Sequence, residues 1–172
     1  MASSSSGGPR TRGDSGGGME GIKTLVQISI ADVTLQGICS SSETKSSFSC
    51  CFQRSLKSVS SREHVVEHGQ DDVTVGFAHE TLSLVVTLVR DPATGLFQKK
   101  QGKLVIRRQR TGRLFGTGFQ GLAVALLPLH ELLADYTMRK LALPLVDCNG
   151  VAGGVINVTI NPKFISEVRG SP

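Results

Sequence analysis

The chain has 172 residues, 39% of them hydrophobic, with seven Phe, one Tyr and no Trp, and a formal net charge of +5. That length suits one domain of ordinary size and excludes two well-buried ones. The core must come from Val, Ile and Leu, which favours strands over helices, and the modest positive charge is compatible with an acidic partner without selecting one.

Residues 1–21 are mostly Ser, Gly, Pro and a few charges. They cannot repay the entropy of ordering, so a disordered tail is expected. Met1 is followed by no apolar stretch of the kind a secretory signal needs, and Met1-Ala2 lacks the Gly required for myristoylation. From Thr24 to Leu35, Val26, Ile28 and Ile30 alternate with Gln27, Ser29 and Ala31 as on a half-buried strand. Leu25, Val33 and Leu35 break that alternation, which points to a bulge. Residues 40–47 read as a polar loop. Phe48 to Leu56 reads as a strand with Phe48, Cys50 and Phe52 on one face, and Val59 to Glu67 as a weaker one.

Thr74 to Val89 carries a strong strand signal through Phe77, Leu82, Leu84, Val86 and Leu88. Asp91-Pro92-Ala93-Thr94-Gly95 is a turn, because Pro fixes φ and Gly tolerates positive φ. Lys103 to Arg110 and Leu122 to Leu127 are further strands, and Pro128 to Ala134 gives one or two helical turns. Pro144 marks Arg139 to Val146 as an edge strand or a bulged one. Val155 to Ile160 is the last strand. Turns at this spacing, with no long amphipathic helix between strands, imply a sandwich rather than a βαβ fold.

Three stretches resemble a C2 domain, and within it the divergent N-terminal (NT-type) group. They are Gly76 to Leu84, with its aromatic, Glu and alternating apolar residues; Phe97-Gln98-Lys99-Lys100 followed by Leu104-Val105-Ile106; and the closing run from Gly118 through Leu132-Leu133 and Leu143-Pro144-Leu145 to Gly154–Ile160. The resemblance implies an all-β, eight-stranded antiparallel β-sandwich of C2 type over residues 22–165. The tail 1–21 precedes it and a flexible end, 166–172, follows.

In calcium-binding members of that family, an Asp-x-Asp pair ends the strand that here reads KLVIRRQR. By position those aspartates fall on Arg108 and Arg110. Calcium needs about six to eight oxygen ligands, several of them carboxylates. Arginines there imply a calcium-independent domain, and no cofactor is expected.

Between Gln98 and Arg113 lie seven basic residues and no acidic one. Lys103, Arg107, Arg108, Arg110 and Arg113, with Phe115 at the loop tip, therefore form the candidate anionic-surface-binding site, since guanidinium groups match phosphate oxygens. A solvated strand edge whose charges only keep the domain soluble would have the same sequence. Nucleic acid lacks the stacking residues and groove-sized helix it would need.

Catalysis finds little support. His64, His68, His79 and His130 sit in no nucleophile–base arrangement, and the glycines at 112, 116 and 118 are not followed by the Lys-Ser/Thr of a phosphate loop. Four Cys, with Cys50 and Cys51 adjacent and no CxxC, suggest free thiols in a cytoplasmic protein. The apolar run from Leu122 to Leu129 is too short to span a membrane. The expectation is a non-catalytic adaptor that tethers its protein to an anionic phospholipid surface or a scaffold, cytoplasmic and peripheral to membrane or cytoskeleton. The alternative is a structural protein–protein module of a cytoskeletal, ciliary or centriolar assembly.

Overall fold

The computed structural model describes residues 19–38, 45–67, 72–110 and 118–169. The elements in chain order are β1 (Glu20–Gln36), β2 (Lys45–Arg54), β3 (Lys57–Ser60), β4 (His64–Glu67), β5 (Asp72–Arg90), β6 (Gln101–Arg110), β7 (Gly118–Pro128), α1 (Leu129–Leu132), β8 (Arg139–Pro144) and β9 (Gly153–Arg169). One sheet has the order β5-β1-β9-β8. The other has the order β3-β2-β6-β7, with β4 also paired to β2. Every pairing is antiparallel. β3 and β4 line opposite ends of β2, so together they act as one interrupted edge strand, and each sheet is then four strands wide. The eight-stranded antiparallel sandwich expected from the sequence is the observed fold.

The broken alternation in β1 has a local cause. Ile30 pairs with Glu80 and Val158, and Asp32 pairs with Gly76 and Asn157, so Ala31 is an extra residue against β9, while on the other side it stands opposite three residues of β5. Val26, Ile28 and Ile30 are buried before it, and Val33 and Leu35 after it. One inserted residue flips the pleat and keeps both sets inside, since register parity decides which face meets the core. On β5 the same irregularity spans Phe77, Ala78 and His79. Ala78 (φ 49°) and His79 (φ 56°) adopt left-handed backbone there. This kink lets Phe77 stay fully buried while His79 faces solvent.

Between the sheets, Ile28, Ile30, Phe77, Leu82, Leu88 and Ile156 meet Phe48, Cys50, Phe52, Leu104, Ile106 and Leu127 in one cluster. Both long sides are closed. On one side Glu80 of β5 accepts hydrogen bonds from the Arg62 amide (2.9 Å) and pairs with His64 Nε2 (3.0 Å), bridging to the β3–β4 edge. On the other, Val146 exchanges backbone hydrogen bonds with Val124 of β7.

The Glu80 carboxyl is held below its ordinary range. Burial alone would raise it, but the Arg62 amide, the His64 ring and the Arg62 charge together outweigh that. A lowered folded pKa gives stability that is present above the unfolded carboxylate range, about 4.3, and lost as pH falls through the folded value. Wild type should therefore lose denaturant resistance on acidification below about pH 4.3 more steeply than Glu80→Gln does. Parallel curves for the two proteins would remove Glu80 from the acid response.

Several boundaries differ from the sequence reading. Leu56 belongs to no strand: β2 stops at Arg54, and Ser55 (φ 54°) turns the chain back into β3. Residues 45–47 join β2 instead of the polar loop, and the segment from Val59 to Glu67 is broken at 61–63. β9 continues beyond Ile160, and residues 166–169, expected in a flexible end, pair with Glu20–Lys23 of β1. Pro144 lies at the end of β8, which pairs only with β9 and is an edge strand, as proline there demands.

Candidate functional site

β6 carries its positive charge on two faces and toward two ends. Leu104 and Ile106 are fully buried, and Arg108 shares their parity but is only half-buried. It pairs with Phe48 of β2 and Gln120 of β7, where the strand leaves the core. Lys103 and Arg107 face the outer side of the sheet. Lys103 is exposed, whereas Arg107 lies flat: its Nη2 donates to Ser60 Oγ (2.8 Å), and its guanidinium sits 5.2 Å from the centre of the Phe119 ring. Clamped between β3 and β7, Arg107 is poorly placed to reach outward. The backbone of Arg110 ends β6; its side chain, Arg113 and Phe115 lie outside the described residues, as does Glu43.

At the start of β6 the structure assembles a group that sequence reading did not collect. Arg54 and Lys57 face each other across the β2–β3 hairpin, and Gln53, next to Arg54, pairs with Lys103. A shallow pocket lined by Arg54, Val89, Gln98, Lys99 and Lys100 joins the hairpin to the segment before β6. Lys100 is half-buried and donates to the Thr87 carbonyl. Its ammonium is pushed below the usual lysine range, first by burial and then by the nearby charges of Arg54 and Lys57. Among the described residues no carboxylate lies within ion-pair distance of Arg54, Lys57, Lys99, Lys103 or Arg108. Arg54 and Lys57 were missed because more than 40 residues separate them in sequence from β6; the polar stretch Gln53-Arg54-Ser55, breaking the alternation after Phe52, was the available signal of a turn.

The cysteines and histidines have structural surroundings. Cys50 and Cys51 point to opposite faces, as consecutive strand residues must. Burial pushes the Cys50 thiol upward, away from the thiolate that redox or metal chemistry requires. His64 packs on Phe77 with ring centres 4.6 Å apart, and His130 is bound to the Lys100 backbone through Nδ1. Among the described residues no three His, Cys, Asp or Glu side chains come together in a way that could hold a metal ion. No described helix is long and apolar enough to cross a membrane.

Solved structures share this architecture. One is a C2 domain-containing protein, with a TM-score of 0.52 and 15% identity over 89% of this chain and 94% of that one. The fold is a C2-type β-sandwich. A second similar structure belongs to CC2D1B, which coordinates ESRCT-III activity during the mitotic reformation of the nuclear envelope; the TM-score is 0.51 and the identity 13%. That match covers 80% of this chain but only 54% of the other, so the chain spans about half of it. No family model matches the sequence, and no curated protein does. At such identities the likeness is one of fold, and a shared fold does not carry function with it.

Proposed function

We propose that the protein is a non-catalytic, calcium-independent adaptor module of the NT-type C2 group that attaches its protein to an anionic phospholipid surface, peripherally and from the cytoplasm. The observation that carries this reading is the unopposed charge of β6: Lys103 and Arg108 have no described carboxylate partner, and the strand leads into Arg110, Arg113 and Phe115. Arg107 contributes by fixing the outer face between Ser60 and Phe119.

A charge near an anionic membrane contributes on the order of 1 kcal/mol and fades over a Debye length of about 8 Å. Attachment should therefore be salt-sensitive. Co-sedimentation with phosphatidylserine-containing vesicles should fall clearly between low and physiological salt; attachment unchanged by salt would contradict an electrostatic tether. Calcium is expected to leave the melting temperature unmoved, because a ligand stabilises only a protein that has a site for it. A saturable rise that chelator reverses would overturn calcium independence.

One observation favours the second reading, a protein–protein module of a cytoskeletal, ciliary or centriolar scaffold. β8 covers β9 only from Val155 to Ile160, so residues 161–169 have β1 on one side and, among the described residues, no strand on the other. Phe164, Ile165 and Val168 are exposed along that open stretch. Pro162, Lys163 and the extra residue Ile165 opposite Lys23/Thr24 work against addition of a further strand, so the membrane reading is preferred.

A further inference from the structure

We propose that the protein meets an anionic phospholipid membrane with the end of the sandwich formed by the β2–β3 hairpin and the β5–β6 connection, through Arg54, Lys57, Lys99 and Lys103 around the apolar tip Leu56. This placement rests on the membrane reading above and chooses between the two ends of β6. The ends are well separated: the ten residues of β6 span about 30 Å, so one flat membrane cannot engage both at once in an upright pose.

Three independent features coincide at the hairpin end. First, charge is gathered from separate parts of the chain, the β2–β3 hairpin supplying Arg54 and Lys57 and the segment entering β6 supplying Lys99, Lys100 and Lys103. These charges are close enough for Arg54 and Lys57 to disfavour the ammonium form of Lys100. Like charges held together without counter-charges leave an unmet attraction for anions. Two acids stand at this end without pairing to the cluster: Asp91 accepts from the Ala93 amide (2.8 Å) in its own turn, and Glu131 lies 3.4 Å from His130 Nε2.

Second, Leu56 at the hairpin tip is fully exposed, and Leu96 in the neighbouring turn is 69% exposed. No core requirement explains a leucine there. Ser55 spends a left-handed conformation (φ 54°) to form the turn that presents it. An apolar tip ringed by basic residues suits the boundary between acyl chains and anionic headgroups.

Third, the partners that clamp Arg107 have no counterpart here. Among the described residues Arg54, Lys57, Lys99 and Lys103 make no side-chain hydrogen bond or ion pair. They are free to reach phosphate oxygens. Lys100, bound to the Thr87 carbonyl, anchors the segment from below.

The absence of Trp from the chain allows a direct test. Leu56→Trp and Phe115→Trp each give a full-length protein with a single reporter, one in the β2–β3 hairpin and one in the sequence between β6 and β7. With phosphatidylcholine vesicles containing phosphatidylserine, in chelator and low salt, the emission of Leu56→Trp should shift to the blue and be quenched by bromine-labelled lipid, while that of Phe115→Trp should not. Two charge-reversed proteins supply a second readout that needs no insertion. Arg54, Lys57 and Lys99 changed together to Glu should weaken vesicle affinity at least about 100-fold, about fivefold for each of the three positive charges lost, with repulsion from the three new carboxylates added to that. Arg108, Arg110 and Arg113 changed together to Glu, with the same change in net charge, should weaken it only a few-fold. A shift confined to Phe115→Trp, or a loss as large or larger in the second reversed protein, overturns the hairpin end while leaving the membrane reading in place. Wild type that fails to pellet with these vesicles at all overturns both.

Discussion

Replacing Gly154 with Ala should destabilise the fold by about 3 kcal/mol or more, the sum of a severe overpacking and a disfavoured backbone. Gly154, the second residue of β9, has φ at 155°, and a Cβ built there would stand 2.1 Å from the carbonyl oxygen of Thr34 and 3.0 Å from Leu145 Cδ1. The oxygen belongs to the central strand β1, whose pairing with β9 runs through Leu35↔Gly154 and Thr34↔Val155. It cannot move away without opening the end of the β1–β9 ladder. For a domain of this size a loss of about 3 kcal/mol lowers the melting temperature by roughly 6–12 °C. Gly150→Ala is the matched comparison. It too has positive φ (83°), but nothing lies within 4 Å of its Cβ position, so only the backbone cost of about 1–2 kcal/mol is expected. Equal losses at the two positions would mean that the contact with Thr34 gives way easily.

Phe52→Ala should cost about 3–5 kcal/mol, the range for removing a buried aromatic ring from a packed core. Phe52 is fully buried, faces Leu104 across the β2–β6 pairing, and lies under Gly102, where a Cβ would come within 3.1 Å of both its ring and Leu129. The ring thus fills the space that Gly102 leaves and supports α1. Phe164→Ala, at a ring that is 54% exposed and in edge contact with Tyr136 (6.1 Å), should change stability by less than about 1 kcal/mol. Denaturant midpoints at unchanged m-value measure both. A loss under about 1 kcal/mol for Phe52→Ala would contradict its place in the core.

The strands were legible where their own side chains alternate against the core. Phe48, Cys50 and Phe52 signalled β2, and the broken pattern after Ile30 signalled the bulge at Ala31. Pro144 disclosed an edge, because proline cannot donate to a second neighbour. What stayed hidden depends on partners remote in sequence. Residues 161–169 contain Pro162 and no clean alternation, and they are strand because β1 lies alongside from Glu20 to Gln27. The turn at Ser55-Leu56 lacks Gly, Asn or Pro, so its one local signal was the polar stretch Gln53-Arg54-Ser55 after Phe52.

The same division holds for the candidate site. The charge of β6 could be counted directly, and parity placed Lys103 and Arg107 on the outer face with Arg108 at the exit from the core. Two facts required three dimensions: that Phe119 and Ser60 immobilise Arg107, and that the β2–β3 hairpin brings Arg54 and Lys57 to Lys99 and Lys103. Positive charge that reads as one run from Gln98 to Arg113 is split in space toward opposite ends of a strand.

The central claim is that this C2-type sandwich holds to anionic membrane without calcium. Co-sedimentation of the full chain with vesicles of phosphatidylcholine alone, and with phosphatidylserine added, at low salt and in excess chelator, tests it most directly. The account predicts that the protein pellets with the phosphatidylserine vesicles and stays in solution with phosphatidylcholine alone. Equal behaviour with the two kinds of vesicle, or attachment only once calcium is restored, would contradict it.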